Sequence, residues 1–347
     1  MGLPKLTAFI GENVGSNNKN KFSSIIDSIK KVKENEDPYI VFMVFDLAQE
    51  QIYFTLNKKL NENAVYEYNY FGNNSAAAFQ YYLTREDSSI KYLFGSTFSD
   101  LYQMLSRNNM KDTELGNILK QMNQKDLIHL AEKKGKGNIN IDKFSIVVNG
   151  KINKIEFDEK NKIIIDNKQC NTDNFIRKFI DDENKNNKFV LIVPKVKLDN
   201  GEEIILSTHN NYLELVKKVK NLDDFSNEGE GEQKTCYICK EKKQGVSIDY
   251  SKKFDTTGIN KIFTTTTINT SPYLESSKYD NSYSMCSQCY QALLLGEKII
   301  SQQFKSKIAG EDAFIIPEGM LEAFDYKYLN TLKKDVDLAF KGSDAKA

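Results

Sequence analysis

The chain has 347 residues, long enough for two or three domains with a sizeable core. Hydrophobic residues make up 40%, which excludes a disordered chain. Lys plus Arg balance Asp plus Glu at 48 each, so net charge points to no partner and any nucleic-acid surface must be local.

Residues 22–29 read as an amphipathic helix, with Phe22, Ile25, Ile26 and Ile29 on one face. Residues 39–45 are a continuous apolar run that suits a buried strand, and residues 52–56 and 66–71 are expected to pair with it. From 75 to about 134 the pattern is mostly helical, including segments at 100–104 and 112–129. The glycines at 135 and 137 end that region in a loop. Strand-like segments follow at 144–148, 151–157, 163–165, 189–193 and 203–207, then a helix at 212–219. A linker rich in Asn, Gly and Glu spans 221–233. Beyond it come a β-prone insert around Phe254 and residues 263–267, a helix from Ser287, a short strand at 313–317 and a last helix at 321–340.

The fold class expected is α+β: a mixed sheet-and-helix N-terminal region with an inserted four-cysteine zinc-finger module. The divisions expected are 1–140 (α/β), 141–232 (β-rich with a helix), 233–300 (four-cysteine zinc module) and 301–347 (strand and helix). No apolar run reaches membrane-spanning length, and the N-terminus lacks the basic and hydrophobic regions of a signal peptide. A cytoplasmic protein with no membrane association is expected.

The most specific motif is a pair of Cys-x-x-Cys turns, Cys236 with Cys239 and Cys286 with Cys289. Two thiolates on one tight turn grip one side of a tetrahedral Zn²⁺, and four from two turns close its coordination sphere. Such a site is structural, because no position stays open for water or substrate. A disulfide framework suits small secreted domains, and redox Cys-x-x-Cys motifs do not normally come in matched pairs. Cys170 is read as an ordinary thiol outside the site.

No catalytic signature is present: no His-Glu-x-x-His, Gly-x-Ser-x-Gly, P-loop or zinc-deaminase pattern. His129 and His209 are read as hydrogen-bonded structural histidines, and Asp335 with Asp337 as a solvated helix face. The expectation is therefore a protein that is not an enzyme. The best basic cluster is Lys133, Lys134 and Lys136 with Asn138, where Gly135 and Gly137 allow backbone to approach phosphate. The plain alternative is a solvated helix exit. Lys240, Lys242 and Lys243 follow the first knuckle, with Lys252 and Lys253 beyond, but Glu241, Asp249 and Asp255 interrupt them. Lysine abundance itself says little. Only Arg85, Arg107 and Arg177 are arginine, a skew that fits an AT-rich genome.

The zinc segment resembles the large subunit of the type I-B CRISPR Cascade complex. The resemblance rests on Cys236-Tyr237-Ile238-Cys239, the Phe- and Thr-rich stretch at 263–267, Cys286-Ser287-Gln288-Cys289, the helix ending in Gly296-Glu297-Lys298, and the strand Phe314-Ile315-Ile316-Pro317. Tyr70-Phe71-Gly72-Asn73-Asn74 and Tyr82-Leu83-Thr84-Arg85 are similar to family patterns less specifically. The resemblance implies a noncatalytic, nucleic-acid-binding subunit of an RNA-guided surveillance complex. It would recognise the protospacer-adjacent motif of target double-stranded DNA and support strand opening. Its implied partners are other Cascade subunits, guide RNA and a recruited helicase-nuclease. Family members continue into a helical part that this sequence is expected to lack, so the functions of that part are not carried over. A zinc-containing nuclease and a zinc-stabilised interaction scaffold are the alternatives.

Overall fold

The computed structural model describes residues 2–15, 22–29, 33, 35–61, 63–74, 78–145, 155–157, 163–165, 167–180, 184, 186–220, 222, 233–247, 250, 284–308, 311–314, 316, 331, 334, 335 and 338. The architecture is α+β. It divides into two compact units, residues 26–219 and residues 1–25 with 220–347.

The unit 26–219 is built on a mixed sheet. β1 (Asp37–Asp46) pairs antiparallel with β2 (Gln51–Lys59). A two-residue strand, β3 (Arg85–Glu86), and two short ladders come between these and the next long strand. The ladders are β4 (Ile128–His129) with β5 (Asn138–Ile139), and β6 (Ile155–Phe157), β7 (Ile163–Ile165) and β8 (Lys168–Cys170). β9 (Asn187–Lys197) then runs parallel to β1. On its other edge β9 takes β3 at Leu191 and Ile192, and β10 (Glu203–Ile205) at residues 195–197. Pro194, which cannot donate to a ladder, falls between those two pairings. β1 and β9 sit centrally, which is why both read as near-continuous apolar runs.

One side of the core gathers Ile40, Ala64, Tyr68, Tyr70, Leu191 and Val193. Elsewhere Phe54, Phe94, Phe144, Phe175 and Phe179 form a cluster of mostly edge-to-face aromatic contacts. The helices Thr97–Arg107 and Glu114–Gln124 are followed by Asn109 and Asp126 in the left-handed conformation, which stops each of them.

Two expected elements are replaced. Residues 66–71 are not a strand: a short helix, Ala64–Glu67, gives way to left-handed Asn69, which breaks the extended run. Tyr68 and Tyr70 are buried all the same, and Asn69 Nδ2 donates to the Ser207 carbonyl (3.1 Å). Residues 22–29 make one turn, not a helix. The Asp27 N–H donates to the Tyr70 carbonyl (2.8 Å), so it does not propagate a helix. Most of the expected strand at 144–148, the β-prone insert at 254–267 and most of the last helix lie outside the described residues.

The other unit pairs an N-terminal helix, Leu3–Gly15, with the long helix Ser287–Gln303. Leu6, Ile10, Ile299, Ile300 and Phe304 form one apolar cluster between them. Gly11 and Gly296 set the approach distance. A Cβ on Gly296 would overlap the Thr7 carbonyl oxygen, and one on Gly11 would lie 2.8 Å from the Gly296 nitrogen. The same unit carries the hairpin β11 (Lys234–Thr235) with β12 (Lys242–Lys243), and the hairpin β13 (Lys305–Ile308) with β14 (Glu311–Phe314).

Candidate metal centre and nucleic-acid interface

Cys236 and Cys239 stand on the turn that joins β11 to β12. The Lys240 N–H donates to the Cys236 carbonyl and the Cys236 N–H to the Glu241 carbonyl, both at 2.9 Å. Lys240 is left-handed, the conformation that lets two thiols three residues apart face one point. Cys286 is the N-cap of the long helix, which places Cys289 in its first turn. Two links hold the halves together: the Tyr237 N–H donates to the Ser284 carbonyl (2.9 Å), and Ser247 and Met285 exchange both backbone bonds (3.1 and 3.2 Å).

The result is four sulfurs within 4.8 Å of one another. Sulfurs about 2.3 Å from a tetrahedral Zn²⁺ are separated by roughly 3.8 Å, so the donor set fits one closed tetrahedral ion. The Cys286 N–H points at the Cys236 sulfur (3.4 Å), as backbone amides beside thiolate ligands do. Hydrogen bonds from the Cys286 and Cys289 thiols hold Cys236 far below the ordinary thiol range, and the bond to Cys236 pushes the Cys286 thiol up to about 11. Ile238, Val246, Tyr250, Met285, Tyr290 and Leu293, with Ala8 of the N-terminal helix, enclose the cysteines. Cys170 lies in the other unit, half-buried, its thiol raised by burial and donating to the Asn171 carbonyl (3.4 Å).

Two of the lysines after the first knuckle, Lys240 and Lys243, have partners inside their own unit. Lys243 contacts Glu241 (2.6 Å) and Gln288 (3.2 Å), and the Lys240 ammonium lies 4.4 Å from the Tyr237 ring centroid. Lys252 and Lys253 lie outside the described residues.

In unit 26–219 the segment with Lys133, Lys134, Lys136 and Asn138 is an exposed turn leading into β5. Its position is fixed from below. The Gly135 N–H donates to Oδ1 of buried Asp100 (2.8 Å), whose Oδ2 accepts from the Gln80 N–H and the Ser96 hydroxyl. Both glycines are left-handed, but their roles differ. A Cβ on Gly137 would meet Ser99 and the His129 carbonyl, whereas Gly135 has open space around it. Of the two, only Gly135 is clear of side-chain packing, and its N–H is already committed to Asp100, so it offers no amide to a phosphate. Asn138 Nδ2 donates to the Ile139 carbonyl (3.1 Å).

The fold also brings two residues to Lys134 that sequence reading does not single out. The Arg107 guanidinium lies 4.4 Å from the Phe79 ring centroid, and the Lys134 ammonium lies 5.5 Å from the same ring. The scarcity of arginine is the one signal available for Arg107; no local pattern marks Phe79.

The histidines divide. His209 is half-buried with little of its side chain exposed, accepts from the Asn211 N–H at Nδ1 (3.1 Å) and faces Glu114 through Nε2 (3.4 Å), a structural role as expected. His129 does not fit the expectation of a hydrogen-bonded histidine. Its side chain is exposed on a two-residue strand, and it makes no side-chain hydrogen bond among the described residues. Among the described residues the only cluster of His, Cys, Asp or Glu that can hold a metal ion is the four cysteines. No helix among them is long and apolar enough to cross a membrane.

Residues 233–342 match a family described as the central domain of CRISPR-associated protein TM1802. The match takes in both knuckles, the long helix and the hairpin after it, and it supports a CRISPR-associated protein. No curated protein and no solved structure matches the chain.

Proposed function

We propose that the chain is the nucleic-acid-binding large subunit of a type I-B CRISPR surveillance complex. In this reading it recognises the protospacer-adjacent motif of target double-stranded DNA and supports opening of the strands. The observation that carries the reading is the match of a CRISPR-associated central domain to the segment that assembles four cysteines around one point. Guide RNA reads the target by pairing, while the protein reads only the short adjacent motif, a division of labour known in another RNA-guided effector.

The ion held by Cys236, Cys239, Cys286 and Cys289 is Zn²⁺ in this account, which suits an all-thiolate tetrahedral set. Its role is structural, and the chain is a cytoplasmic protein without catalytic activity of its own. Lys133, Lys134 and Lys136 supply sequence-independent attraction to the duplex, with Asn138 beside them. Cutting falls to a recruited helicase-nuclease. Co-expression with the other subunits and a guide RNA tests the assignment: the chain should co-purify with the guide in a stoichiometric complex. A complete complex that assembles around the guide and never retains this chain would refute it.

A further inference from the structure

The chain has only three arginines, and two are tied to their own unit. Arg85 is fully buried, its guanidinium donating to Asn73 and Asn74 Oδ1 (both 3.1 Å). Arg177 donates to the Asn184 and Asn187 carbonyls and lies over Phe189. Arg107 differs. It is exposed at the end of the helix Thr97–Arg107, and among the described residues its side chain makes no hydrogen bond or ion pair. Its side-chain partner among them is the Phe79 ring, which also receives Lys134. The ring steadies the planar guanidinium, and a steadied guanidinium can present its N–H edge to phosphate as a bidentate donor, which a lysine cannot.

We propose that Arg107, held on Phe79, and Lys134 form a clamp for the phosphate backbone of duplex DNA. This deepens the reading of the 133–138 turn given above and rests on it. Both cations lie within reach of one ring, so a backbone phosphate drawn to one also lies in the field of the other. A duplex backbone fits better than a single strand. Single-strand sites use open aromatic faces as stacking platforms for bases, whereas Phe79 is half-buried and already engaged by Arg107. Asp100 sets the spacing from beneath, because it binds both the Gln80 N–H next to Phe79 and the Gly135 N–H next to Lys134.

The test is binding of the full chain to a fluorescent DNA duplex of about 30 base pairs, and to the matching single strand, across a salt series. Arg107→Ala should weaken duplex binding roughly three- to tenfold and reduce the log–log salt slope by about 0.9. Arg107→Lys should restore the slope but not the affinity. Unfolding midpoints of both variants should match the parent, since Arg107 is exposed. If Lys133, Lys134 and Lys136 to Ala lowers affinity while Arg107→Ala does not, the clamp is wrong and the lysine turn survives. If Arg107→Ala weakens binding and the lysine variant does not, the two-cation clamp is overturned together with the lysine reading on which it rests. Equal loss on duplex and single strand, or no binding by the parent at low salt, overturns the proposal.

Discussion

Thr7 and Gly296 meet backbone to backbone: the Thr7 carbonyl oxygen occupies the place where any side chain on residue 296 would begin. The contact joins the N-terminal helix to the helix that carries Cys289 and is capped by Cys286, two segments far apart in the chain. Ala8 completes the apolar enclosure of the cysteines, so the first helix belongs physically to the metal module. Thr7 itself donates to the Leu3 carbonyl (2.9 Å), which satisfies its hydroxyl within its own helix.

Gly296→Ala should destabilise this unit by about 1–3 kcal/mol, as overpacking does, because the opposing atom is backbone and cannot rotate away. The gain of about 1 kcal/mol in helix propensity from replacing Gly works in the other direction and is too small to cancel a clash of this kind. Thermal unfolding followed by circular dichroism measures the difference. An unchanged or raised midpoint would mean that the helices are not this close.

Cys236→Ser and Cys289→Ser should each release the ion and loosen the unit, whereas Cys170→Ser should keep a full complement of metal. Structural Zn²⁺ contributes on the order of 10–16 kcal/mol of apparent binding energy in small finger peptides, so loss of one thiolate has a large effect. Elemental analysis of the purified variants reads this directly. Well-folded parent protein without zinc would contradict the prediction.

The cysteine centre is legible in the sequence because its chemistry is local: two short motifs fix ligand type, spacing and the start of a helix at Cys286. The central strands are equally legible, since burial on both faces writes an apolar run at 39–45 and 189–193. Pattern misleads where tertiary contacts override it. Tyr66, Tyr68 and Tyr70 alternate like a strand, but the Asn69 bond to Ser207 turns the chain. Phe22 to Ile29 has helical spacing, but the Asp27 N–H is taken by Tyr70. Nothing in local sequence links residues 1–15 to the cysteines, or Phe79 to Arg107, because those contacts depend on the completed fold.

Arg85→Ala should be among the most damaging substitutions in unit 26–219. It leaves a cavity and strips Asn73 and Asn74 Oδ1 of charged donors, a combined effect on the order of 3 kcal/mol. Burial already draws the Arg85 guanidinium down to about 10, which marks a strongly desolvated cation. Chemical denaturation should show a smaller loss for Lys136→Ala, an exposed residue of the same unit. Equal effects would mean that the Asn pair does not depend on Arg85.

The purified chain should hydrolyse neither DNA, RNA nor nucleotide. Assays with Mg²⁺ or Mn²⁺ added should match those with chelator. Metal-dependent cleavage abolished by a single carboxylate substitution would instead make the protein a nuclease.

The central claim is that this chain reads the motif beside the target. The direct measurement is affinity of the reconstituted complex, with and without the chain, for duplexes that share one guide-matched target and differ only in the adjacent bases. The chain should confer a preference among adjacent sequences. Asn138→Ala should change that preference, since an amide can read a base edge, and the Lys133, Lys134 and Lys136 to Ala variant should weaken all duplexes alike and flatten their salt dependence. The same preference in complexes lacking the chain would contradict it.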